Sequence, residues 1–221
     1  MFKHETQVIK FLLQWYSVNA RNLPWRKKNN LNLPHPYFVF VSEYMLQQTT
    51  VNTVKNKFND FILKWPSLNK LAQTSEPNIL KFWSGLGYYS RARNLLKSAK
   101  IIKNNFKNKI PETYDELIQL PGIGDYTAKA ILGIGYNKSV MPLDANIERI
   151  LVRLHAIDKP INKVKNKLKD LGKKFISDKY SSNLIQSFMD YGSEICLPRN
   201  PKCNICGINK FCQSYKKNLQ Q

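Results

Sequence analysis

The stretch LPGIGDYTA, Leu120–Ala128, decides how this chain is read. Two of only nine glycines stand here, one on either side of Ile123. Glycine has no Cβ, so Gly122 and Gly124 permit positive φ and a tight turn. Before the turn, TYDELIQL (113–120) opens with Thr113-x-x-Glu116, a capping box that starts a helix. After the turn, 125–135 reads as a second helix. A helix that begins just past bare glycine backbone exposes N–H groups and forms a ready anion site. An ordinary helix–turn–helix corner has the same outline.

The rest of the chain says which anion to expect. The formal net charge is +20, from 35 basic and 15 acidic residues among 221. Phosphate backbones select for such an excess, because neutralising them releases counterions. Lysines outnumber arginines 28 to 7 and asparagine is abundant, which an AT-biased genome would also produce. Hydrophobic residues make up 43%, enough to bury a core and to exclude general disorder. No apolar run approaches the roughly 18 residues of a membrane helix. MFKHETQVIK (1–10) carries Glu5 and no uninterrupted apolar core, so no signal peptide is expected and the cytosol is the expected compartment.

Helical periodicity dominates. ETQVIKFLLQWY places Val8, Phe11, Leu12 and Trp15 on one face. SEYMLQQTTVNTVKNKFNDFILKW reads as one helix from a Ser42 N-cap to the stop at Pro66. DANIERILVRLHAI opens on Asp144, a good N-cap, and carries Ile147, Ile150, Leu151 and Leu154. INKVKNKLKDLGKKFI puts Ile161, Val164, Leu168, Leu171 and Phe175 on a stripe, with lysines opposite. Only YFVFV (37–41) looks strand-like, and it is too short to set a sheet. An all-α fold is expected, without internal repeats.

All four cysteines lie between Cys196 and Cys212, spaced C-x6-C-x2-C-x5-C. Disulfides are not expected in a cytosolic chain. Zinc usually wants two close pairs, and only Cys203 and Cys206 form one. A cubane cluster accepts wider spacing. Iron–sulfur, zinc and unligated thiols all remain open from spacing alone. Arg199, Lys202 and Lys210 share the loop, so a metal centre there could hold a basic loop in shape against phosphates.

Three motifs in order carry a family resemblance: helix–LPGIG–helix, the aspartate of MPLDANIERIL, and the C-terminal cysteine set. Together they resemble the endonuclease III superfamily, helix–hairpin–helix base-excision glycosylases with a 4Fe–4S cluster. LPWR (23–26), VSEYMLQQTTV (41–51) and GLGYYSRARNL (85–95) narrow this, since they resemble the adenine DNA glycosylases of the MutY type. That family removes adenine mispaired with 8-oxoguanine or guanine. The resemblance implies a helix–hairpin–helix glycosylase fold in two domains. One is a six-helix barrel over 29–137, with the hairpin at about 113–135. The other is an iron–sulfur cluster domain over 1–28 and 138–221, with its cluster loop at 196–212. It also implies a monomer, one 4Fe–4S cluster on Cys196, Cys203, Cys206 and Cys212, double-stranded DNA as partner, and a place on the nucleoid.

In bifunctional relatives a lysine follows the hairpin; here that place is Tyr126. A phenol cannot form the Schiff base that a lysine forms with the sugar. The resemblance therefore implies a monofunctional enzyme that uses water. Lys129, where relatives carry a small residue, leaves weak lyase activity open. Adenine leaves only once protonated, and the cationic sugar needs a facing carboxylate, which is the two-carboxylate logic of glycoside hydrolysis. Glu43 and Asp144 match the family's catalytic pair. Glu43 is expected in the first turn of its helix, where apolar neighbours must outweigh the helix N-terminus to raise its pKa. Asp144, at a helix start, is expected ionised. Arg26, Tyr126, Asn146 and Gln186 match the family's adenine pocket and its surroundings. Gln47, Gln48, Thr49, Leu86 and Tyr88, with Gly122 and Gly124, match its DNA contacts, including the wedge that fills the gap when a base flips out.

Two departures matter. KKNNLNLPHP (27–36) is longer than in many relatives. The sequence also ends nine residues after Cys212, where the family usually adds a Nudix-like domain that reads 8-oxoguanine. Recognition is then expected to rest on Gln48, Leu86 and Tyr88. A thymine–guanine mismatch glycosylase of the short MutY-related type is the nearest alternative, and a non-catalytic DNA-binding iron–sulfur protein another.

Overall fold

The computed structural model describes residues 3–26 and 32–219, so the first half of KKNNLNLPHP, 27–31, lies outside the described residues. The fold is helical, with no strand among the described residues. Twelve α-helices follow in order: α1 (Lys3–Asn19), α2 (Pro36–Leu46), α3 (Val51–Lys64), α4 (Leu68–Ala72), α5 (Glu76–Trp83), α6 (Ser90–Asn105), α7 (Tyr114–Ile118), α8 (Asp125–Ala130), α9 (Ala145–Leu154), α10 (Lys165–Lys173), α11 (Ser181–Glu194) and α12 (Gln213–Lys216). The chain divides into two compact units, Asn22–Tyr136 and Met1–Arg21 with Asn137–Gln221. None of the described helices is long and apolar enough to cross a membrane.

In the unit 22–136, α2 is the centre, and it corrects the strand reading of 37–41. His35 caps it by accepting from the Tyr37 N–H at 3.2 Å, and Pro36 takes the first helical position. Tyr37, Val39, Phe40, Val41, Tyr44 and Met45 are all buried. A helix covered on every side has no polar face, so its sequence shows a plain apolar run that period alone cannot tell from a strand. The expected single helix from 42 to 65 is also two helices. Ser42 sits inside α2 and donates to the Val39 carbonyl at 2.9 Å. The chain breaks at 47–50, and Thr50 caps α3 by accepting from the Thr53 N–H at 3.3 Å. Phe58 meets Phe38 of α2 edge-on at 5.8 Å, and Phe58, Phe61 and Trp83 are all buried. Each such side chain removed from water contributes about 1.5–3 kcal/mol.

In the other unit α1 packs on α11 and α9 on α10 and α11. Val8 and Leu12 are buried, and Phe11 and Trp15 meet Tyr191 edge-on at 5.8 and 5.0 Å. The buried Asp190 of α11 accepts from the Arg21 N–H at 3.0 Å and from Arg21 Nε at 2.5 Å. The long helix expected over 161–176 is instead a 3₁₀ turn, Ile161–Lys163, followed by α10. Val164, Leu168, Leu171 and Phe175 are buried as the stripe requires, while Ile161 is 36% exposed.

Candidate functional site

The hairpin is built by local rules. Thr113 accepts from the Glu116 N–H at 3.4 Å and donates to Glu116 Oε2 at 2.6 Å, which starts α7. Gly122 then turns the chain with φ +81, where a Cβ would lie 3.0 Å from Asn94 and 3.1 Å from the Tyr44 ring. Gly124 is different. Its φ of −103 suits any residue, and a Cβ there would meet nothing within 4 Å. Only Gly122 needs glycine for its own conformation; at Gly124 the absent side chain leaves open backbone at the start of α8. Tyr44 braces the turn from α2, donating to the Pro121 carbonyl at 2.5 Å, with Ser98 Oγ 2.9 Å away. The helix after the turn is regular only to Ala130 and continues as a π-turn, Ile131–Gly135. A Cβ on Gly135 would lie 3.2 Å from Pro36 Cα, so the π-turn ends against the start of α2.

Tyr126 is half-buried on the first turn of α8. Lys129 is ion-paired to Asp125 at 2.8 Å, and its ammonium lies 6.0 Å from the Tyr114 ring centre. Glu43 is only 6% exposed. It sits well inside α2 beside Val39, Phe40, Tyr44 and Met45 rather than in a first turn, so the helix N-terminus has little hold on it. Arg26 ends a 3₁₀ turn, Pro24–Arg26, and is half-buried.

Gln47, Gln48 and Thr49 form the break after α2. Gln47 Nε2 donates to the Gly122 carbonyl at 3.1 Å, joining this break to the hairpin. Thr49 Oγ1 donates to the Leu86 carbonyl at 3.4 Å, joining it to the 85–89 loop. Gln48 and Tyr88 both have positive φ, +54 and +43. Tyr88 is 61% exposed, whereas Leu86 is 5% exposed and points its side chain inward.

In the unit containing α9, Asp144 caps that helix, accepting from the Ile147 N–H at 2.7 Å and from Asn146 Nδ2 at 2.9 Å. Burial raises its pKa, and the bonds from Ile147 and Asn146 and the charge of Arg149 pull against that. The cap favours the ionised form, as expected of a helix start, while desolvation works against it. Arg149 donates from Nη2 to Asn146 Oδ1 at 2.9 Å and to the Gly192 carbonyl at 2.6 Å, and from Nε to the Cys196 carbonyl at 2.7 Å. One turn on, Arg153 donates to Cys196 Sγ at 3.3 Å and to the Leu197 and Pro198 carbonyls at 2.6 and 3.0 Å. Gln186 is buried in α11 and donates to Ser182 Oγ and its carbonyl, both at 3.1 Å; its buried Oε1 has no partner among the described residues.

The four cysteines line one cavity, walled by Ile150, Leu154, Ile195 and Ile208. Burial pushes up the thiols of Cys203, Cys206 and Cys212, and their nearness to one another and to Cys196 adds to it. Among the described residues no three His, Cys, Asp or Glu side chains are placed to hold a single metal ion. The four thiols border a shared space. Tyr191 Oη donates to Cys206 Sγ at 3.3 Å and accepts from the Gly207 N–H at 3.0 Å.

Sequence reasoning missed Arg91, Arg149 and Arg153. The signal was the scarcity of arginine, 7 against 28 lysines. Where lysine is the default cation, an arginine marks a place that needs a planar fork.

Residues 41–174 match the family model described as HhH-GPD superfamily base excision DNA repair protein. The chain is 42% identical over 211 residues to the adenine DNA glycosylase of Buchnera aphidicola subsp. Schizaphis graminum, covering 94% of this chain and 59% of that protein. It is 35% identical over 230 residues to the human adenine DNA glycosylase, covering 42% of it. The chain thus spans about three fifths or less of the length of these curated relatives. Among solved structures, a thermostable thymine-DNA glycosylase matches with TM-score 0.87 and 26% identity, over 97% of this chain and 98% of that one. A non-covalent endonuclease III–DNA complex matches in fold, with TM-score 0.78 at 18% identity over the whole of both chains. The chain belongs to the HhH-GPD superfamily of base excision DNA repair proteins.

Proposed function

We propose that this chain carries the glycosylase activity of a monofunctional adenine DNA glycosylase, acting on duplex DNA at adenine opposite 8-oxoguanine or guanine. The observation that carries the reading is the carboxyl of Glu43, only 6% exposed inside α2, at the position where the family resemblance puts the acid. The 42% identity to an adenine DNA glycosylase supports adenine as the base. Glu43 donates a proton to the flipped adenine, the N-glycosidic bond breaks, and its electron pair leaves with the base. Asp144, ionised, faces the cationic sugar, and water adds at C1′ and gives up a proton. Tyr126 offers no amine for a Schiff base, and the ammonium of Lys129 is held on Asp125. Arg26, Tyr126 and Asn146 are assigned to adenine contacts, and the buried Gln186 to the surroundings of the pocket. Gln47, Gln48, Thr49 and Tyr88 probe the duplex, with Leu86 packed inward and contributing through its backbone, and the open backbone at Gly124 beside the turn at Gly122 lies against phosphate. The chain acts as a monomer.

Cys196, Cys203, Cys206 and Cys212 would hold a 4Fe–4S cluster, which would fix the shape of the basic loop 196–212. About four irons per chain are expected on elemental analysis; zinc in protein grown with iron would sink this assignment.

The test is a mispair panel. Adenine opposite 8-oxoguanine should yield an abasic site, with strand breakage only after alkali. Glu43→Gln should lose base release and keep duplex binding; full turnover would remove Glu43 from the acid role. A second reading, thymine–guanine mismatch repair, is favoured by the near-complete match to a thymine-DNA glycosylase, and reaction of G:T duplexes alone would establish it.

A further inference from the structure

Arg91 is 5% exposed, yet no carboxylate pairs with it among the described residues. Its hydrogen bonds among the described residues all go to backbone carbonyls. Nη1 donates to Tyr44 at 3.3 Å, to Met45 at 2.8 Å and to Gln47. Nη2 donates to Leu86 at 2.7 Å and Gly87 at 3.1 Å. Three of these carbonyls belong to the end of α2, where a helix leaves its last C=O groups without partners and carries its negative dipole end. The other two begin the 86–88 turn. The guanidinium also lies 5.6 Å from the ring centres of both Trp83 and Tyr88. One planar fork therefore joins two loops distant in sequence, one loop to each of its terminal nitrogens.

What the fork joins is under strain. Gln48 and Tyr88 both adopt positive φ, a region side chains with a Cβ avoid. Such residues persist only where their surroundings over-determine them. Arg91 binds the residue before each, Gln47 and Gly87, by its carbonyl. Resting on the reading that Gln48 and Tyr88 probe the duplex, we propose that Arg91 is a positioning residue that locks the 47–49 and 86–88 loops into one base-pair probe. Arg91 itself touches no DNA in this role. Lysine keeps the charge but is a point donor without the fork, so it cannot hold both loops in register.

The test compares the full chain with its Arg91→Lys variant on a duplex carrying 2-aminopurine opposite 8-oxoguanine. That base brightens when it unstacks, so the signal precedes bond cleavage. With melting and circular dichroism showing a folded variant, binding to undamaged duplex should stay within about twofold, since phosphate contacts dominate it. Brightening should fall roughly tenfold, and single-turnover base release at saturating enzyme about 100-fold, as expected for a misplaced reaction geometry. Wild-type brightening in a folded Arg91→Lys variant would overturn the proposal. Hydrogen exchange on the wild-type chain gives a second readout that needs neither the variant nor activity. Amides of 45–49 and 86–89 should open in step, and two segments opening at unrelated rates would also overturn it. Loss of all base release by the wild-type chain, with the two segments still opening together, would refute the glycosylase reading and leave the lock standing.

Discussion

Asn146 donates from Nδ2 to Asp144 Oδ2 at 2.9 Å while its own Oδ1 accepts from Arg149 at 2.9 Å. The amide is thereby fixed at both ends. Burial raises the pKa of Asp144, and Asn146 and Arg149 are among the groups that hold it down. Asn146→Ala and Arg149→Gln should each raise it further. The acid limb of the pH profile for single-turnover base release should then move to higher pH in both variants. A limb that stays put or moves down would contradict this electrostatic account.

The same shift predicts an opposition between stability and activity. The folded pKa of Asp144 lies above its ordinary value of 3.8. Stability associated with the protonated form is present below 3.8 and is lost as pH rises through the folded pKa. Asparagine still caps a helix but carries no charge to bury. Asp144→Asn should therefore melt higher than wild type at pH 7, with the gap closing as pH falls toward 3.8, and should lose base release. A lower melting temperature at pH 7 would count against it.

The two hairpin glycines should behave differently on mutation to alanine. Gly122 needs φ +81 and has Asn94 and Tyr44 against it, so Gly122→Ala should cost about 1–3 kcal/mol in denaturant unfolding. Gly124 has neither constraint. Gly124→Ala should unfold like wild type and bind duplex more weakly, because the new methyl group stands where phosphate approaches. Equal destabilisation of the two variants would show the distinction to be false.

Gly192 is set against Asn146, where an added Cβ would come within 2.5 Å of Asn146 Cβ and 3.2 Å of its Cα. Backbone cannot yield as a flexible side chain does. Gly192→Ala should lower stability by about 1–3 kcal/mol and, by shifting Asn146, also move the acid limb upward. Thermal melting and the pH profile together check it; a stability loss with an unmoved profile would separate packing from electrostatics.

What the sequence revealed and hid follows from where each interaction lies along the chain. The Thr113 cap and the Asp144 cap each span three residues, and both were legible. The break at 47–50 was not, because Arg91 supplies partners for the end of α2 from more than forty residues away. Arg149 and Arg153 read as the polar face of an amphipathic helix, while their acceptors are carbonyls over forty residues on. The strand reading of 37–41 failed for a separate reason. Period reveals a helix only when one face meets water, and α2 has no such face.

The pairing of α1 with α11 sets an order of assembly during synthesis. The unit 22–136 is continuous in sequence, so all of its partners have left the ribosome once residue 136 is out. The first helix has no such luck in timing. Its apolar stripe, Val8 and Leu12, must wait for Ser181–Glu194 to emerge, some 160 residues later. At translation rates of about 5–20 residues per second that is a delay of roughly 10–30 s. Through that interval α1 is an amphipathic helix without its partner, and it is the segment of the nascent chain with most reason to meet a chaperone.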